Sequence, residues 1–125
     1  VNSRVSNKEV KIENRNYQLN KPDARTACYL FSFLGAKINE NENFFTGLGR
    51  CTRAEFNEIQ SLALGKIFRM DQKEDSIFPV AIFLNGRITD QDLENNADEL
   101  MKLTSEWLVF AFDPFMVASG LNSQK

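Results

Sequence analysis

Hydrophobic positions change their period several times along the chain. Residues 1 to 9 are polar and aperiodic and read as a flexible N-terminal arm. Val10 and Ile12, then Tyr17 and Leu19, alternate with polar residues on either side of Glu13-Asn14-Arg15-Asn16, the pattern of a β-hairpin. A two-residue turn at Asn14-Arg15 would set Ile12 opposite Tyr17 and Val10 opposite Leu19, with all four side chains on one face. Asn20-Lys21-Pro22-Asp23 then has the composition of a helix start, with Asn20 as cap, Pro22 in the first turn and Asp23 favourable to the dipole. The predicted helix runs to about Ala36. Ala24, Ala27, Cys28, Phe31 and Leu34 form one stripe, continued by Ile38, and Tyr29, Leu30 and Phe33 widen it into a helix packed on two sides.

A polar linker, Asn39 to Asn43, leads into Phe44-Phe45-Thr46-Gly47-Leu48-Gly49-Arg50, read as a glycine-rich loop whose two phenylalanines are either tucked onto the core or offered to a partner. Thr52-Arg53-Ala54-Glu55 has the spacing of a capping box, so a second helix should begin there. Extended to about Met70, it would align Phe56, Ile59, Ala63, Ile67 and Met70, with Leu64 and Phe68 on a second stripe. Ile77 to Ile88 fits two descriptions. Asn85-Gly86 between Val80–Leu84 and Arg87–Thr89 is a strong hairpin signal, whereas Ser76 as cap, Pro79 in the first turn and Gly86 at the end would define a short helix, and the helix is favoured. From Thr89 a final helix gathers Leu93, Ala97, Leu100, Met101, Thr104, Trp107, Leu108, Ala111 and Phe115 on one side, and Asp113-Pro114 should stop it. Residues 119 to 125 read as a flexible C-terminal tail. The resulting fold class is α+β, mainly α: a short N-terminal hairpin followed by three to four packed helices in a single domain over residues 10–118.

Composition narrows the function. The chain has 125 residues, enough for one core without disulfides or metals. A net charge of −2, with its basic residues scattered, opposes a dedicated nucleic-acid binder. The longest apolar run, Ile77 to Leu84, is far short of the roughly 20 residues that span a membrane. No signal-peptide stretch opens the chain, and its two cysteines lack paired spacing, so the cytoplasm is the expected compartment. Phenylalanine dominates the aromatics, with 11 copies against one Trp and two Tyr, which favours apolar packing over hydrogen-bonded recognition.

Catalytic chemistry finds little support. The chain contains no histidine, the commonest general base and metal ligand. Cys28 reads as a small core residue, and Cys51 precedes a helix N-terminus that could depress its pKa. Asp90, Asp92, Glu94, Asn96 and Asp98 resemble the ligands of a calcium loop, but Asn95 stands where that loop needs Gly and Met101 where it needs Glu, so these acids, with Glu99 and Glu106, read as dipole-favouring residues near a helix N-terminus and a solvated face. Gly47-Leu48-Gly49-Arg50 lacks the Lys-Ser/Thr of a phosphate loop. Carboxylate pairs of hydrolases meet only in three dimensions, so spacing leaves a small enzyme open as an alternative. No cofactor or metal is expected. Val109, Phe110, Phe112 and Met116 leave the stripe of the final helix, and exposed apolar patches mark interfaces.

The order of elements resembles that of phage tail assembly chaperones from long-tailed bacteriophages and prophages. The resemblance rests on the hairpin Val10-Lys11-Ile12 to Tyr17-Gln18-Leu19, on Asn20-Lys21-Pro22 leading into an Ala- and Leu-rich helix with Phe31 to Leu34, and on mid-sized helices that follow, up to a final one ending in Phe112-Asp113-Pro114-Phe115. It spans roughly residues 8 to 116. It implies a small cytoplasmic, non-catalytic protein, often oligomeric and often also made as a frameshifted longer product, that binds the tape-measure protein and keeps it soluble. Phe44, Phe45, Phe110, Phe112, Phe115 and Met116 are the candidate partner-binding residues. The alternatives are a structural head-tail or tail component that assembles into a ring, and a small enzyme or regulator.

Overall fold

A computed structural model describes residues 6–118, with side chains through Phe115. Its elements are β1 (Asn7–Ile12), β2 (Arg15–Asn20), α1 (Ala24–Gly35), α2 (Phe44–Gly49), α3 (Arg53–Leu64), β3 (Ile67–Lys73), β4 (Ser76–Ala81), β5 (Phe83–Leu84), β6 (Arg87–Ile88), α4 (Gln91–Glu94) and α5 (Ala97–Ala118). A four-stranded antiparallel sheet in the order β1-β2-β3-β4 and a two-stranded β5-β6 ribbon make this a balanced α+β protein. The expectation of a mainly helical fold with one short hairpin is thereby corrected.

The first hairpin forms, but its turn is Glu13-Asn14, both with positive φ (52° and 67°), and Val10 pairs with Tyr17 while Ile12 pairs with Arg15. The pairing differs by two residues from the expected one. Because the side-chain period is two, the shift leaves the predicted face intact, and Ile12, Tyr17 and Leu19 are buried on it. The strand also begins at Asn7, taking in residues assigned to the arm; residues 1–5, and the tail 119–125, lie outside the described part.

The largest departure lies after α3. That helix starts at the expected capping box, with Thr52 Oγ1 accepting from Glu55 N and Glu55 Oε1 accepting from Thr52 N. It ends at Leu64, not Met70, with Gly65 as its C-cap. Ile67 and Leu19 then pair across β2–β3, and Glu74-Asp75 turns the chain into β4. Ile67, Phe68 and Met70 fit a helical stripe equally well by spacing alone. The weak helix propensity of Gly65 and the open edge of β2 decide for a strand. Residues 77–88 likewise form strands, and Asn85-Gly86 (φ 52° and 76°) is the turn of the β5-β6 hairpin, correcting the favoured helix.

Two further corrections concern the C-terminal third. Asp90 caps the single turn α4, and Asn96 Oδ1, accepting from Glu99 N at 3.1 Å, restarts the chain as α5, so one expected helix is two. α5 also continues through Pro114 to Ala118. Proline cannot donate to the Phe110 carbonyl, but the residues around it are held by rings: Phe115 stacks on Phe31 at 4.5 Å and Phe112 meets Phe44 at 4.6 Å. The core lies between the inner sheet face and the helices, centred on Trp107, whose indole N–H donates to the Asn20 carbonyl at 2.8 Å.

Candidate protein-binding groove

Asn43 begins the site by accepting from Thr46 N at 3.1 Å and capping α2, which the sequence suggested was a loop. Within that helix Phe44, Phe45 and Leu48 recur at helical spacing, as do Ser105, Leu108 and Val109 on α5. These two sets, with Asn43, line a trough of ≈ 250 Å³ without a charged side chain. Phe45 (48% exposed) and Val109 (60%) stand on it as exposed apolar residues, while Leu48 and Leu108 are buried at its base.

The α2 wall is pinned from behind. A Cβ at Gly47 would lie 3.0 Å from Ile38 Cγ2 and 3.3 Å from the Leu34 carbonyl oxygen, so only glycine lets α2 approach α1 this closely. Arg50 closes the wall by donating to both Glu42 oxygens (2.5 and 2.8 Å) and to the Lys37 carbonyl (2.7 Å). That guanidinium, together with the Asn39 N–H, holds the Glu42 carboxyl down at about 2.

The candidate residues divide between this trough and the core. Phe44 and Phe45 line it. Phe112 is fully buried and Phe110 nearly so, beneath Lys21 Nζ at 4.9 Å from its ring. Their expected exposure fails because α5 packs against the sheet on one side and α1 and α3 on others, burying a wide arc. Val109 is the exposed residue instead. Phe115 is half-buried and lines a second hollow of ≈ 370 Å³ with Lys21, Pro22, Cys28 and Pro114. Met116 sits in the last turn of α5, its side chain outside the described part.

A second apolar surface went unrecognised in the sequence. Alternation places Phe68 and Met70 of β3 and Ile77, Pro79 and Ala81 of β4 on the sheet face opposite buried Leu19 and Ile67. None of the five belongs to the buried core or packs against it. The available signal was the period of two flanking Glu74-Asp75, masked by the helical spacing of Ile67 and Met70 with α3.

The titratable groups that do converge form a structural network. Asp90, its side chain 3% exposed, receives Arg15 Nη2 and Arg69 Nη1 (2.6 Å) on Oδ2 and the N–H groups of Asp92 and Leu93 on Oδ1. Burial pushes its carboxyl up, but the Arg69 hydrogen bond, the Leu93 N–H and the two guanidinium charges outweigh this and leave it below its ordinary value. Tyr17 donates to Glu99 Oε2 at 2.5 Å; burial first, then that bond, push the phenol far above its usual range. No buried side-chain N or O atom among the described residues lacks a partner. Asp90 and Glu99 thus belong to the core, not to a solvated acidic face.

Neither cysteine behaves as its spacing suggested. Cys28 is exposed rather than core. Burial raises the Cys51 thiol, which donates to the Gly47 carbonyl at 3.4 Å, opposite to the depression expected before a helix. Among the described residues no cluster of three His, Cys, Asp or Glu is placed to hold a metal ion, and no helix is long and apolar enough to cross a membrane.

The described residues thus form an α+β domain with an uncharged apolar trough and a satisfied ionic network. Comparison with known protein families, curated proteins and solved structures finds no match for the chain.

Proposed function

We propose that this protein is a phage tail assembly chaperone that binds helical segments of the tape-measure protein and keeps them soluble in the host cytoplasm, without catalysis. The observation that carries this reading is the uncharged trough between α2 and α5, walled by Phe44, Phe45, Leu48, Leu108 and Val109. A trough of this kind suits the apolar ridge of an amphipathic helix, which would anchor by residues at three- and four-residue spacing. Its walls are held by Gly47 and by the Arg50–Glu42 pair, so little ordering cost falls on binding.

Co-expression with a tape-measure protein tests it. Soluble tape-measure protein should rise several-fold with the native chain, and Phe45→Asp or Val109→Asp should abolish most of the gain while the variants keep native far-UV and near-UV circular dichroism. An equal soluble yield with and without the native chain would contradict the proposal.

A further inference from the structure

The outer face of the four-stranded sheet has a pattern that its strand register makes explicit. One row across the strands reads Glu9, Gln18, Phe68, Ala81. Two residues along, on the same face, β1 and β2 carry the pair Lys11–Asn16, and β3 and β4 carry the pair Met70–Pro79. Between them lies the inward row Val10, Tyr17, Arg69, Val80. A two-fold axis laid along that middle row, between two stacked sheets, exchanges the outer rows. Phe68 then covers Met70 of the second copy, Ala81 covers Pro79, Gln18 meets Asn16, and Glu9 meets Lys11. Within these two rows apolar groups meet apolar groups, amides meet amides and the acid meets the base, each pair occurring twice, while Ile77, one row farther out, lies outside the matched rows.

We infer that this face docks a second copy of the chain, sheet against sheet, as a closed two-fold dimer. Charge complementarity selects the occupant, because the same operation that joins the apolar halves brings Glu9 onto Lys11, both exposed in the single chain. Strand addition at the β4 edge is a poorer route. Antiparallel pairs alternate between hydrogen-bonded and open, and Pro79 opposite Met70 can occupy only an open position, its nitrogen toward the free edge. The edge therefore lacks a donor at its middle, a device that discourages edge pairing. Stacked sheets approach to about 10 Å with strands near −30°, which aligns the rows best close to the axis. An isologous contact of this kind closes at two subunits and builds no ring. The dimer face lies across the sheet from the helices, and the inference does not rest on the chaperone reading.

Light scattering on size-exclusion chromatography tests it on the full chain. The native protein should run at twice its 14.3 kDa in the micromolar range. Met70→Lys should yield a folded monomer. Glu9→Lys and Lys11→Glu should each weaken the dimer roughly tenfold by placing like charges together, and the double swap should restore it. The two charge positions are exposed, so folding does not confound the swap. A native monomer, a larger oligomer, or a dimer indifferent to Met70→Lys or unrestored by the double swap would overturn the inference. None of these outcomes bears on client binding in the groove, which Phe45→Asp reports.

Discussion

At the scale of single residues, Asp90 concentrates the most consequence. Its carboxylate joins β2, β3 and α4 by holding two guanidinium groups and capping a helix. Asp90→Ala removes a shared acceptor and a helix cap while Arg69 keeps Asp71 and Arg15 keeps Asp92, and should cost about 1–3 kcal/mol. Urea unfolding at neutral pH should show that loss. The same carboxyl sets an acid limit. Its folded pKa lies below the ordinary 3.8, so in acid the unfolded chain binds the proton more readily. The Asp90 contribution is therefore complete above that ordinary value and disappears as pH falls through the folded one. Tyr17 sets the alkaline limit by the converse route. Its folded pKa lies above the ordinary 10.0, so its contribution is complete below pH 10.0 and is lost as pH climbs toward the folded value. Tyr17→Phe should cost about 1–3 kcal/mol by leaving the buried Glu99 oxygen without its donor, and should remove this part of the alkaline slope, as denaturant midpoints across pH would show. Little of this network was legible in the sequence. Asp90 and Asp92 read as dipole-favouring acids on a wet face, because nothing local indicates that Arg15, 75 residues away, and Arg69 will meet them.

At the scale of elements, local chemistry was legible and long-range pairing was not. Thr52 and Glu55 specified a cap that exists as drawn, and Thr52→Ala should lower the unfolding free energy by about 1 kcal/mol. Asn85-Gly86 was legible as a turn, but its neighbours also satisfied the start and stop rules of a short helix. The strands β3 and β4 escaped because Ile67 and Met70 continue the spacing of α3, and only the partner strand distinguishes the two periods. Pro114 misled for the opposite reason. Its rule is local, and the ring contacts of Phe31, Phe44, Phe112 and Phe115 override it. Gly47 read as loop flexibility and is in fact a point of close approach. Gly47→Ala should destabilise by about 1–3 kcal/mol through contact with Ile38 and Leu34, and should loosen the α2 wall, visible as faster amide exchange over 44–49.

At the scale of the whole molecule, Arg15, Arg69, Asp90 and Glu99 are gathered into one network, and the exposed apolar side chains among the described residues include Phe45 and Val109 on the trough and Ile77 on the outer sheet face. Phe44 and Phe45 of the trough were legible as candidates because two adjacent aromatics in a polar stretch have few bland uses. Val109 was legible as lying off the stripe, whereas Phe110 and Phe112 share that property and are buried, since periodicity does not say how many neighbours a helix will have.

The central claim is that the trough holds a helix of the tape-measure protein. Isothermal titration of the native chain with peptides tiling that protein measures it most directly. The account predicts micromolar binding to amphipathic helical peptides with a negative heat-capacity change from apolar burial, at least tenfold weakened by Val109→Asp. Binding indifferent to Val109→Asp and Phe45→Asp, or no binding to any peptide at micromolar concentration, would contradict it.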